Sequence, residues 1–333
     1  MRAAAITDDR TLAEVDLPAG EPAAGEVRIT VAYCGVCGSD LHMLGGSTPA
    51  GFVLGHEFSG TISAVGAGVE HWRVGDRVTA LALSGCGACP TCRHGHSSAC
   101  AEAAGRCPGV GRPGGLAEEV LVPADLLIAL PDEVDDRAGA LAEPLAVATR
   151  AVNLAGPLDP DTPALVMGAG PVGLLVAEVL RAHGVQQVRI VELREARRDI
   201  AARLGWTAVG PDSAEPLPPG RPPVAFDATG HPAGFARLQE LLPIGARVVL
   251  VGVPFEPLTL NGLQMVLKEW TIRGSLGYSR SDMEEAVALL AAGRIRTDLL
   301  VTETVDLAGA GAAVTGLADP RSRNVKVLVR PGS

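Results

Sequence analysis

With 333 residues, 47% of them hydrophobic, the chain is long enough for two domains that each bury a core, which excludes a disordered protein. Its net charge of -10, from 28 basic against 38 acidic residues, speaks against a nucleic-acid partner, whose phosphates are gripped by many Lys and Arg side chains. No stretch nears the roughly 18 uninterrupted apolar residues of a membrane span, and Asp8 and Asp9 fall where a signal peptide would continue its apolar core, so the expectation is a soluble, cytoplasmic protein with no membrane partner.

Up to about residue 130, short β-branched runs at 27–31, 53–54, 61–65, 77–82 and 119–122 alternate with Gly and Pro, the texture of an irregular β domain. From about Ala138 helix and strand alternate: a helix near 138–155, a strand at 164–167, a helix at 172–183, a strand at 188–191 and a helix at 195–204. The stretch 211–223, with six prolines, is a loop, after which a strand at 224–227, a helix at 235–242 and a strand at 247–251 resume the series. Such alternation places βαβ units on a parallel sheet. A short strand follows Trp270, a helix at 282–292 stops at Gly293, and 325–329 reads as a period-two strand with its partner in the first domain. The fold class is α/β, a β-rich unit into which an open α/β unit is inserted.

Gly168, Gly170 and Gly173 fall at the turn between the 164–167 strand and the helix after it. There the first glycine makes the tight turn, the second lets backbone N–H groups approach a pyrophosphate, and the third allows close helix packing, with the helix N-terminus favouring negative charge. Glu192, nineteen residues beyond Gly173, closes the next strand, where an acid accepts hydrogen bonds from ribose hydroxyls and repels a 2'-phosphate, so NAD is favoured over NADP. Arg194, Arg197 and Arg198 follow it; they read as a solvated helix face, although arginines here can receive that phosphate. The cofactor-binding set comprises Gly168, Gly170, Pro171, Val172, Gly173, Glu192, Arg197, Thr229 and Val251.

Four of the seven cysteines, Cys86, Cys89, Cys92 and Cys100, lie close enough in sequence to wrap one tetrahedral ion, which reads as a closed structural zinc site. Local disulfides or a redox motif are the competing reading, disfavoured in a reducing cytosol. His94 and His96 lie inside this lobe but would exceed four ligands, so they read as solvent-facing. A dispersed second set, Cys37, His56, Glu57 and Glu143, offers one Cys, one His and one or two Glu, the three protein ligands and open position of a catalytic zinc. Taken singly, each is as easily a core residue.

The order of motifs decides more. Cys34-Gly-Val-Cys37-Gly-Ser39-Asp40-Leu-His42, then Gly55-His56-Glu57-Phe-Ser-Gly, Val74-Gly-Asp-Arg77-Val, the four-cysteine lobe, Glu143-Pro-Leu-Ala and the glycine turn together resemble the zinc-dependent medium-chain dehydrogenase/reductase family over essentially the whole chain. Glu143-Pro144-Leu145 looks more like its sorbitol (polyol) and threonine dehydrogenase branch than the ethanol enzymes, which place a cysteine ligand there. The resemblance implies a GroES-like catalytic domain at 1–148, a Rossmann NAD-binding domain at 149–273 and a return to the catalytic domain at 274–333, with the active site in the cleft between them. It implies two Zn2+ per chain, NAD, a small hydroxylated substrate and a homo-oligomer, dimer or tetramer. Cys37, His56 and Glu143 or Glu57 would hold the catalytic zinc; Ser39 would contact the substrate oxygen, His42 would end a proton relay, and Asp40 would orient a ligand from behind. Cys34 and Cys107 match no ligand position. The 43–53 segment is short and rich in Gly, Pro and Thr, so substrate identity does not carry over. The expected reaction is oxidation of a secondary alcohol; a primary alcohol or aldehyde dehydrogenase of the same family, or a zinc-free NADP-dependent reductase, is the alternative.

Overall fold

The computed structural model describes residues 1–319 and 321–333. The chain opens with an antiparallel hairpin, β1 (Arg2–Ile6) and β2 (Leu12–Asp16), which the sequence reading did not anticipate. The long strand β3 (Glu26–Gly35) pairs antiparallel with β4 (Glu57–Val65), which pairs with β5 (Arg77–Ala80). A further strand, β6 (Glu119–Pro123), lies against β3, and β7 (Leu127–Ala129) pairs with β5. Val27, Ile29 and Val31 of β3 are buried while Arg28 and Thr30 between them are not, the period-two pattern that makes this stretch a half-buried strand. The 53–54 run is a correction: Val53 makes only an isolated bridge to Ala5, because Gly55, at φ 96°, turns the chain into β4 immediately afterwards. The helix expected near 138–155 is two helices, Asp136–Gly139 and Ala142–Leu154.

The middle of the chain forms β8 (Ala164–Met167), β9 (Val188–Val191), β10 (Thr207–Val209), β11 (Val224–Asp227), β12 (Arg247–Leu250) and β13 (Thr271–Gly274). These pair in parallel in the order β10-β9-β8-β11-β12-β13, a doubly wound sheet, with the helix Pro171–Ala182 between β8 and β9. All four residues of β8 and of β11 are buried, as parallel strands covered on both faces must be. Leu165, Phe235, Leu238, Val248 and Trp270 belong to its core.

The chain then returns. Its last strands, β14 (Val301–Val305) and β15 (Lys326–Val329), are parallel to each other, and β15 joins β3 to complete the sheet β14-β15-β3-β4-β5-β7. Two compact units result, one of Met1–Glu143, Ser279–Ala292 and Val301–Ser333, the other of Pro144–Tyr278 and Gly293–Leu300. No helix among the described residues is long and apolar enough to cross a membrane.

Candidate active site

Cys37 ends the turn after β3 and is the N-cap of the helix Gly38–Gly45; its backbone N–H donates to Asp40 Oδ2 at 2.8 Å, which fixes the entry of the chain into the helix. That places Ser39 and His42 one turn apart on an exposed helix face and buries Asp40 completely. From the other side Gly55 delivers His56 and Glu57 at the head of β4; a side chain at Gly55 would collide with Cys34 Sγ and Leu116. Donor atoms of Cys37, His56 and Glu57 all lie within 4.8 Å of one another. Behind the imidazole, Asp40 Oδ1 stands 3.6 Å from His56 Nδ1, and both atoms are buried without a hydrogen-bond partner. Ser39 Oγ is 3.4 Å from His56 Nε2.

Burial by itself would lower the His56 pKa, yet the hydrogen bond and charge of Cys37, with the charges of Asp40 and Glu143, raise it well above its ordinary value. A soft thiolate, an imidazole and a carboxylate converging in so negative a field are the donor set of a zinc ion. Glu143 is buried on the first turn of Ala142–Leu154 and outside the 4.8 Å group. Cys34 is fully buried and its thiol is pushed well up by that burial, and burial likewise raises Cys107, whose Sγ accepts from Ser84 N–H at 3.3 Å; both are packing residues.

The second group is closed. Sulfur atoms of Cys86, Cys89, Cys92 and Cys100 lie within 4.8 Å of one another, none of them in a disulfide. Gly85 is packed against Cys92, Cys100 and the Ser97 carbonyl, with no room for a side chain, and Gly87 and Gly95 curl the loop through positive φ. His94 and His96 are exposed and outside the group.

In the other unit the glycine turn has the expected form. Gly168 sits at φ 95°, Gly170 has nothing but the Arg197 guanidinium near the space a side chain would take, and a side chain at Gly173 would strike the Gly168 carbonyl. A cleft of about 450 Å³ is lined by Gly168, Gly170, Glu192, Arg194, Arg197, Thr229, His231 and Arg237. Pro171, Val172 and Gly173 form the start of the helix, and Val251 is buried with its N–H on the Asp227 carbonyl; none of these four is in the lining. Glu192 Oε2 accepts from Ala169 N–H at 2.6 Å and Oε1 from Arg194 N–H at 2.7 Å. Arg197 Nε and Arg194 Nη1 are buried without partners, and burial, followed by the charge of Arg194, lowers the Arg197 pKa.

Two family models match this chain: the alcohol dehydrogenase GroES-like domain over residues 23–132 and the zinc-binding dehydrogenase domain over 171–292. It is 34% identical to (R,R)-butanediol dehydrogenase of Bacillus subtilis strain 168, over 97% of either chain. The chain belongs to the zinc-dependent medium-chain dehydrogenase family. Such a dehydrogenase is an oxidoreductase of the zinc-type alcohol dehydrogenase class, with a GroES-like domain and a Rossmann sheet. Two solved structures superpose on it over 99% of both chains, each with a TM-score of 0.90: an alcohol dehydrogenase of Escherichia coli CFT073 complexed with NADH, 32% identical, and a protein of Sinorhizobium meliloti 1021 bound to NADP, 29% identical.

One site residue of the dehydrogenase escaped the sequence reading. Lys326 is 2% exposed, and its ammonium is 2.5 Å from Glu57 Oε2 and 3.0 Å from the Val36 carbonyl. Burial would lower its pKa, but Glu57 and Cys37 reverse that and raise it. The available signal was a charged residue inside an otherwise apolar closing strand.

Proposed function

We propose that this dehydrogenase catalyses the reversible NAD-linked oxidation of a secondary alcohol bearing a neighbouring hydroxyl or amino group, such as a polyol, sugar alcohol or cyclitol. The observation that carries it is the open Cys37, His56 and Glu57 group with a second buried carboxylate, Glu143, nearby. Cys37, His56 and Glu57 hold one zinc, with Glu143 the further carboxylate of that centre, and Cys86, Cys89, Cys92 and Cys100 hold a structural one. When bound, zinc supplies Lewis acidity at the substrate oxygen and the nicotinamide accepts hydride. The Ser39 hydroxyl accepts the substrate's hydroxyl proton as it gives up its own, and His42, one turn along the same helix, is the group that ends this relay and releases the proton to solvent. Asp40 orients the His56 ring. A site built to bond adjacent oxygens discriminates against analogues lacking them, and with aromatic residues at only 3% a large aromatic-lined pocket is disfavoured. The relative's diol substrate supports the same class.

The test is turnover at 340 nm with NAD and a panel of small polyols beside ethanol, butanol and benzyl alcohol. Polyol oxidation is expected, and efficient primary-alcohol oxidation with no polyol activity overturns the reading. A specific observation favours NADP as a second reading: the partnerless Arg194 and Arg197 donors in the cleft suit a 2'-phosphate. Comparing kcat/KM for the two cofactors decides, and the fixed Glu192 carboxylate supports NAD. The working form is taken to be a cytoplasmic homo-oligomer, in keeping with seven free cysteines and an edge of β13 that no strand among the described residues covers.

A further inference from the structure

A buried lysine is costly unless its charge is paired and its protons are bonded, so the place where the fold accepts one is informative. The chain has two lysines, and Lys326 is the one it buries. It starts β15, which lies beside the end of β3: Leu328 is opposite Gly35, and Val36 N–H donates to the Val327 carbonyl. Its ammonium therefore reaches two segments of the site at once. One partner is the carbonyl of Val36, the residue preceding Cys37; the other is Oε2 of Glu57. Gly35 completes the fit, because a side chain there would collide with that same oxygen.

We infer that Lys326 is a positioning residue of the metal centre: it grips one oxygen of Glu57 and the backbone beside Cys37, and so presents the other oxygen of Glu57 and the Cys37 thiolate to one ion. This rests on the reading that Cys37, His56 and Glu57 hold zinc. A ligating carboxylate held by a hydrogen bond loses metal affinity when that bond is removed, by about 10- to 100-fold. A lysine serving only as a fold staple would leave the two metal sites equally affected.

The experiment follows zinc release from the intact protein to a colorimetric chelator, in which the open and four-cysteine sites give separate phases. Lys326→Met should weaken the open site by about 10- to 100-fold with the four-cysteine phase unchanged. Lys326→Gln, which keeps one N–H donor, should fall between the two and serves also if the methionine variant does not fold. Glu57→Gln should lose affinity too, and Lys326→Met in that background should cost less than it does alone, because the grip on Glu57 is then already weakened and only the hold on the backbone beside Cys37 remains to be lost. Wild-type release from the open site in either Lys326 variant, or losses that multiply in the double variant, overturn the inference. If Cys37→Ser leaves both phases of the wild-type protein in place, the zinc reading itself fails, an outcome distinct from either.

Discussion

Glu192 has both carboxylate oxygens tied to main-chain N–H groups, those of Ala169 in the glycine turn and of Arg194, so the acid is fixed in the lining of the cleft at that turn, the proposed nucleotide site. A fixed carboxylate accepts from ribose hydroxyls and repels a phosphate. Glu192→Ala should narrow the proposed preference for NAD over NADP by about 1–3 kcal/mol, the scale of a hydrogen bond to a charged partner; an unchanged kcat/KM ratio for the two cofactors would show that discrimination lies elsewhere. At the open metal group, Cys37→Ser should remove one of two zinc ions and all turnover while the thermal midpoint stays near that of the wild type, checked by elemental analysis and melting. Cys37, His56 and Glu57 were legible because their motifs keep a fixed order along the chain. Lys326 was not, because a single lysine in an apolar strand becomes meaningful only when the strand's neighbour is known, and β15 meets β3 and the Glu57 side chain across 269 residues of sequence.

Elements whose apolar pattern is set by burial were read nearly to the residue: β8, β9 and β11 are covered on both faces or nearly so, and their runs of Val, Ile, Leu and Phe have sharp polar or proline borders. Elements held by other means were missed. The β1–β2 hairpin contains an Ala-rich strand with little β propensity and turns through Arg10 at φ 62°, a conformation without a strong sequence mark outside Gly and Asn. The helix Gly38–Gly45 is eight residues long and starts on a cysteine, so neither length nor an ordinary cap announces it. The four-cysteine lobe is the reverse case, plain in sequence through its spacing yet nearly devoid of regular structure: its only helical pieces are Pro90–Arg93 and the single turn Ser97–Ala99. Such a lobe has almost no core, and metal binding supplies its folding energy. Cys92→Ser should therefore lower the thermal midpoint, and prolonged chelation of the wild type should reproduce the effect; a variant melting with the wild type would show that the lobe stands without its ion.

For the whole molecule, the chain's own topology leaves one conspicuous surface. The six-stranded parallel sheet ends at β13, whose outer N–H and C=O groups face no strand among the described residues. A bare edge of this kind is a template for another strand. The segments next to it in sequence carry exposed apolar side chains: Leu263, Val266 and Leu267 on the helix Gly262–Leu267 are 69%, 75% and 66% exposed, and Leu276 just beyond β13 is 58% exposed. The second copy proposed above could use this edge, because two identical edges can pair antiparallel about a two-fold axis and bury exposed apolar side chains near them. The expected result from light scattering is a mass that is a multiple of 34.0 kDa for the wild type. Leu263→Glu combined with Val266→Glu should reduce it to 34.0 kDa, with zinc content unchanged because neither residue is a member of a metal group. A wild-type monomer, or a double variant that keeps its oligomeric mass, would mean that this edge is left open in solution and that its leucines serve something other than self-association.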